Sequence, residues 1–358
     1  MNILIDIGHP AHVHLFKNFA QEMIKRRHNI MFTCRDKEFE VYLLKFYGFD
    51  YKSFGKKYKS TTGKLLGMIK FDIKEILTGL KFKPDILLSH GSIYAAHAAF
   101  FLRKPHISFE DTFNFEQIKL YKPFTNTILT GTYDHPIESE KVIKYKGYHE
   151  LAYLHPNWFK PNPTVLKDLN VSESEKFIVI RFVSWDASHD NGHTGISTTQ
   201  KIDIVNSFSK ECKVFISSEK ELPEDLIKYK LPTSPEDIHS VIYYSSLLFG
   251  ESGTMATEAS VLGVPSIFID NTGRLYTKEI QLKFNLCHCY SESVEEINNA
   301  QTKALEIIKN IDYCYKTNHK ELLASHIDVS AFLTWFIENF PKSKRIMKEN
   351  PDFQNKFK

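Results

Sequence analysis

The chain has 358 residues, of which 42% are hydrophobic and 25% charged, and a formal net charge of +3. This composition excludes a disordered or fibrous chain and predicts about two globular domains. So small a charge excludes nucleic acid as a partner named by electrostatics alone. The five cysteines are odd in number and scattered, which suits a reducing cytosol. Cys287-His288-Cys289 lacks the second ligand pair of a metal site and reads as buried thiols. Met1–Asp6 reads as a strand rather than a charged leader, and no apolar run reaches membrane-span length. The expected location is cytoplasmic.

In chain order, Asn2–Ile7 is a β-type run that stops at Gly8-His9-Pro10-Ala11-His12-Val13-His14. A helical period follows through Arg27, then a strand at Asn29–Cys34, a helix at Glu38–Tyr47 and a strand at Asp50–Phe54. Lys52–Lys83 is strongly basic, with Leu65, Leu66, Ile69, Ile73, Ile76, Leu77 and Leu80 at helical spacing. The spacing predicts a core-facing helix with a solvated basic face, and the alternative is a patch that docks on a membrane surface. Pro84–Ser89 is a buried strand opening onto His90-Gly91-Ser92. A small-residue helix, Ile93–Leu102, and a strand ending at Glu110-Asp111 complete the series.

Alternating strands and helices predict a doubly wound parallel sheet, which binds ligands at its carboxyl ends. His9, His12, His14, His90, Ser92, Glu110 and Asp111 all fall at such ends, as does Gly8. A histidine at a strand-to-helix turn can act as a general base near neutral pH. His12 and His14 have a spacing that suits joint metal ligation poorly, and no metal is expected.

Ile128–Thr130 reads as a strand and Gly131–Lys146 as a polar loop. The prolines at 156, 161 and 163 mark a linker, so the expected domains are 1–150 and 151–330, followed by a helix and a fraying basic tail over 331–358. Beyond the linker come a strand at Lys176–Phe182, a helix at Thr198–Phe208 and a strand at Lys213–Ser217. A helix capped by Ser234 with Pro235 at its first position spans Ser234–Tyr244. The buried run Tyr243–Phe249 then enters Gly250-Glu251-Ser252-Gly253-Thr254, a helix from Met255 to Leu262, a Gly-Val-Pro turn and the strand Ser266–Asp270. Small residues at this turn let an anion approach amides at a positive helix end. Glu258, one turn beyond Thr254, can accept two hydrogen bonds from a ribose diol.

Two Rossmann-like halves, with Asp6–Asn18, Ser184–Asp190 and Gly253–Ala259 as their motifs, resemble the GT-B superfamily of nucleotide-sugar enzymes. Within it the chain resembles a bacterial and archaeal family catalogued as DUF354, a domain of unknown function, over most of residues 2 to 340. The resemblance implies an α/β fold of two Rossmann-like domains whose parallel sheets face across a cleft. It also implies a diphosphate on Ser252, Gly253 and Thr254, a ribose on Glu258, and a base near Ile238. His12 falls where the peptidoglycan UDP-GlcNAc transferase carries a histidine. His90-Gly91-Ser92 and Ile107–Glu110 resemble segments of UDP-GlcNAc 2-epimerases. Ser92 stands where those enzymes have an aspartate, and Arg181–Ser184 lacks their basic segment, which weighs against 2-epimerisation.

The expectation is a glycosyltransferase that moves a sugar from a nucleotide diphosphate donor to a cell-surface glycan or lipid-linked acceptor. UDP is favoured by the resemblance alone. The catalytic candidates are His12, Glu110 and Asp111, with Gly8, His9, His14, His90, Ser92, Arg181, Ser184, Ile238 and Arg274 lining the substrate. Arg181 or Arg274 would take up charge on the leaving diphosphate, so neither metal nor cofactor is expected. Contact with the inner face of a membrane would run through 52–83, and no nucleic acid is involved. The alternatives are a nucleotide-sugar 2-epimerase or hydrolase, and a binding protein without catalysis.

Overall fold

The computed structural model describes residues 1–36, 38–56, 61–183, 195–310 and 314–358, the side chains of 61–66 excepted. The chain forms two compact units: Met1–Trp158 with His326–Lys358, and Phe159–Ser325. The carboxyl-terminal segment therefore belongs to the first unit rather than forming a third. It does not trail away as a basic tail. It folds as the helices Val329–Glu338 and Lys342–Glu349 and a 3-10 turn, Pro351–Phe357. Aromatic residues among the lysines hold it: Trp335 packs on Phe353 at 4.8 Å, and Phe332 on Tyr145 at 6.0 Å. The Gln354 side chain accepts from the Lys146 amide at 2.6 Å.

The first unit is built on seven parallel strands in the order β3-β2-β1-β4-β5-β6-β7. They are β1 Asn2–Ile7, β2 Asn29–Cys34, β3 Tyr51–Ser53, β4 Ile86–His90, β5 His106–Phe109, β6 Thr127–Gly131 and β7 Val142–Tyr145. Central strands covered on both faces are mainly apolar. Ile3, Leu4, Ile5 and Ile7 of β1 are accordingly fully buried. The chain order reverses between β1 and β4, where Ile5 lies between Phe32 and Leu88. Strand β7 falls within the expected polar loop 131–146. It is a four-residue edge strand with one solvent-facing lysine, too short for its alternation to register.

The helix Thr61–Phe82 departs from expectation at four of the seven apolar positions: Ile76 packs on the core as expected, and the side chains of Leu65 and Leu66 lie outside the described residues. Phe71, Glu75 and Thr78 are buried, whereas Ile69, Ile73, Leu77 and Leu80 are more than half exposed. Glu75 faces inward because Thr33, on β2, donates to its carboxylate at 3.0 Å.

The second unit carries five parallel strands in the order β12-β11-β10-β8-β9. These are β8 Phe177–Phe182, β9 Lys213–Ser218, β10 Leu247–Gly250, β11 Ser266–Ile269 and β12 Cys287–Tyr290. Here the order reverses between β8 and β10. The helix expected from Ser234 begins as a 3-10 turn, Pro235–Asp237, and becomes α-helical at Ile238–Tyr244, with no side-chain bond from Ser234. Among the described residues no helix is long and apolar enough to cross a membrane.

Candidate functional site

In the first unit the reversal between β1 and β4 brings two turns together. Helix Pro10–Lys25 starts after β1 with His9 as its cap, accepting from the Ala11 amide at 3.2 Å. One turn in, the His12 ring stacks on that of His90, at the end of β4, with centroids 4.5 Å apart. His90 Nε2 lies 2.9 Å from Asp111 Oδ1, and His149 Nδ1 lies 2.8 Å from Asp111 Oδ2. The His90 and His149 rings meet edge to face at 5.0 Å. One carboxylate thus orients two imidazoles, and a third imidazole stacks on one of them.

The charges in this chain differ from one ring to the next. Burial opposes ionisation of Asp111, but His149 and His90 outweigh it and hold the carboxyl well below its ordinary range. Burial likewise opposes charge on His90, and Asp111 outweighs it, so the imidazole titrates above its usual value. Burial, followed by repulsion from His90 and His9, holds His12 well below that value. His12 is therefore neutral near pH 7. Its Nδ1 accepts from the Gly8 amide at 3.2 Å, which leaves the proton on Nε2. In this arrangement His12 presents an N–H donor.

The ligand atoms of His90, Asp111 and His149 lie within 4.8 Å of one another, close enough to share a cation. Each facing imidazole nitrogen already addresses a carboxylate oxygen. His149 carries no motif signal in the sequence: it stands 59 residues after His90, between the expected loop 131–146 and the linker prolines.

The other candidates in this unit are committed elsewhere. Glu110 Oε1 accepts from the amides of Thr112 and Phe113 at 3.0 and 2.8 Å, and Oε2 accepts from the Tyr121 hydroxyl. Ser92 caps helix Ile93–Leu102 through the Ala95 amide and donates to Asp6. Asp6 also binds Arg35 and accepts from Thr33. A Cβ on Gly8 would approach Arg35 Nη2 to 3.1 Å, so the glycine makes room for this buried guanidinium. His14 is buried between Tyr47 and Tyr153, at 6.2 and 5.6 Å.

In the second unit Gly250 is the tightest point of the strand-to-helix turn. A Cβ there would lie 2.1 Å from the Arg181 carbonyl oxygen, and the φ of +152° favours glycine. Ser252 caps helix Gly253–Val261 by accepting from the Met255 amide at 3.3 Å, and the amides of Gly253 and Thr254 head the helix. A Cβ on Gly253 would meet Arg274 Cγ at 3.0 Å and the Tyr276 hydroxyl at 3.1 Å. Arg274 therefore packs alongside this turn.

Arg181 does not. Its guanidinium donates to Ser217 at 2.9 Å and to Glu219 at 2.7 Å, at the end of β9. Glu258 is buried, with Oε1 2.9 Å from His239 Nε2. His239 follows Ile238, so this bond joins the glycine-turn helix to the helix expected beside the base. Glu251 was quoted in the motif without a role. Its carboxylate accepts from the amides of Val183 at 3.1 Å and Ile196 at 2.7 Å. Ser184 lies outside the described residues.

Two Rossmann-like α/β units, each with a parallel sheet and polar groups at the strand ends, define the GT-B fold. The chain belongs to the family described as a protein of unknown function, DUF354, whose model matches residues 1–322. An uncharacterized protein of Methanocaldococcus jannaschii is 24% identical over 283 residues, 75% of this chain and 81% of its own length. A UDP-GlcNAc 2-epimerase from the same organism, solved with UDP-GlcNAc and UDP, superposes with a TM-score of 0.64 at 13% identity, covering 94% of this chain and 100% of that one. The glycosyltransferase VinC, in complex with dTDP, superposes at 0.61 and 10% identity, covering 96% and 100%. At such identities the structural likeness shows the fold alone.

Proposed function

We propose that the protein transfers a sugar from a nucleotide diphosphate donor to a hydroxyl of a cell-surface glycan or lipid-linked precursor, without a metal ion. The observation that carries this reading is the turn before helix Gly253–Val261. Glycine lets the backbone close in, Arg274 lies alongside, and amides head the helix. Such an end takes up the charge of a diphosphate leaving group. Glu258, fixed by His239, is the proposed ribose acceptor, and Ile238 the contact to the base, with UDP the first to test.

In the first unit the proposed base is His90. Its Nε2–H is directed at Asp111, and its Nδ1, beside the residue's own backbone carbonyl, is the proposed site of proton uptake, while His149 holds the second oxygen of Asp111. His12 serves as a hydrogen-bond donor through Nε2. Asp111 positions the base rather than acting as one, and Glu110 supports the turn after β5 through the Thr112 and Phe113 amides.

A second reading, 2-epimerisation or hydrolysis of the nucleotide sugar, is favoured by the likeness to the UDP-GlcNAc 2-epimerase. Against it, Ser92 carries no carboxylate and its hydroxyl is committed to Asp6. Product analysis on purified protein, with and without acceptor and with and without chelator, tests both. Consumption of the donor that requires an acceptor and survives metal removal is the expected result. Isomerised or free sugar without acceptor would replace transfer by the second reading. If no nucleotide diphosphate raises the melting temperature of folded protein, both readings fall and a binding role for another ligand takes their place.

A further inference from the structure

Helices Thr61–Phe82 and Ile93–Leu102 lie side by side and parallel. Phe71 packs on Tyr94, Asp72 pairs with His97, and a Cβ on Gly79 would touch Leu102. Their inner side is ordinary core, with Ile76, Phe82 and Leu102 packed on Leu4, Leu87, Ala98 and Ala99. Their outer side is apolar as well. Ile69, Ile73, Leu77 and Leu80 are 52–58% exposed, and their spacing confines them to a stripe roughly 80° wide. At the end of the second helix Phe100 and Phe101 are 61% and 67% exposed, with ring centroids 5.9 Å apart. Scattered apolar side chains on a surface need no explanation, but a contiguous stripe marks a contact.

A basic pocket opens beside Phe100. Phe100 and Phe124 line one wall, and Arg103, Lys104, Lys141, Lys344 and Lys348 supply the charge. Glu140 is the acid in this lining. Lys141 donates to the carbonyls of Lys122 and Pro123, and Lys344 to that of Asn126, so both ammonium groups are fixed in place. Burial and then neighbouring cations, Lys122 for one and Lys348 for the other, push both ammonium groups below their usual range. Positive charge is thus concentrated where an anion would relieve it.

We propose that this face of the first unit docks on an anionic lipid bilayer. The apolar stripe and the Phe100–Phe101 pair enter the interface, and the basic pocket receives the phosphate of a headgroup. The excess of positive charge in the pocket beside Phe100 favours an anionic surface over a second copy of the chain, whose like charges would repel. The inference rests on these two helices and the pocket, and it holds whichever sugar chemistry the protein performs.

The test is co-sedimentation of the full chain with vesicles of phosphatidylcholine, alone or mixed with phosphatidylglycerol. Wild type is expected to bind only the mixed vesicles, and less well as salt rises. The double change Ile73→Ser with Leu77→Ser, and separately Phe101→Ser, should lower the bound fraction roughly tenfold or more. The change Lys104→Gln with Lys348→Gln should do the same and should remove most of the salt dependence. All five side chains are exposed, so unchanged melting curves and nucleotide-induced shifts are expected to accompany the loss. Equal binding to neutral vesicles, no binding to either, or variants that bind like wild type would each overturn the proposal. So would a dimer in solution that Leu77→Ser dissociates, since the face would then belong to a second copy.

Discussion

After β4 and β5, His90 and Asp111 face one another, whereas Glu110 beside them and the carboxylates that follow β10 and β11 accept from backbone amides. His90, Asp111 and His149 form a chain of imidazole and carboxylate, with His12 stacked on its end. In the second unit Glu251 holds the amides of Val183 and Ile196, and Asp270 accepts from the amides of Thr272 and Gly273 at 2.7 and 2.6 Å. A carboxylate that accepts from several amides fixes loop geometry. One shared between imidazoles couples to proton movement instead. Strand-end carboxylates therefore fix loop geometry in both units, and Asp111 alone of those named here joins two imidazoles, the pair to which the proposed function gives proton transfer.

The largest effect should come from the shape side. Gly250→Ala forces a Cβ to 2.1 Å from the Arg181 carbonyl, and we expect a loss of at least about 4 kcal/mol of stability in denaturant unfolding. Next is Asp111→Asn, which keeps the volume but removes the charge that orients His90. Turnover should fall about 100- to 10,000-fold, while the melting shift produced by nucleotide is retained. A matched loss of nucleotide binding would show that the two units do not divide their roles in this way.

The pH dependence sharpens the same contrast. With His90 as base, activity is present above its raised value and is lost as pH falls through a point above the ordinary histidine range. In the Asp111→Asn variant the residual activity should have that limb moved to lower pH. A wild-type limb well below the ordinary range would instead assign the base to His12. In the second unit Glu258→Ala should weaken nucleotide binding by about 1–3 kcal/mol by titration calorimetry, with the pH limb of turnover unchanged.

The smallest effect concerns His106, buried on β5 between Ser89 and Thr125. Burial lowers its folded-state value to about 3, against about 6.5 in an unfolded chain. The unfolded state therefore binds the extra proton between these limits. Stability is full above about pH 6.5 and declines as pH falls, by up to about 1.4 kcal/mol per pH unit from this residue. His106→Gln should reduce the slope of unfolding free energy between pH 7 and 5, and an unchanged slope would place the protonation elsewhere.

What the sequence determined by itself was the frame. The mainly apolar runs of β1, β4, β8 and β10 read as buried central strands, because parallel sheets are covered on both faces. Gly250 and Gly253 marked the sharp turn: a Cβ is excluded at Gly250 by the Arg181 carbonyl and is tight at Gly253 against Arg274 and Tyr276. Which strand-end groups meet was decided by tertiary structure. His12, His90, Asp111 and His149 are separated by up to 137 residues, and only the reversal between β1 and β4 and the return of the chain after β7 bring them together. The outward stripe Ile69–Leu80 was likewise invisible. Helical spacing shows that apolar residues share a face, but packing on the sheet selected Phe71, Glu75 and Thr78 for the inside. Periodicity fixes which side chains go together, and only the neighbours that cover a face decide whether it points to core or to solvent.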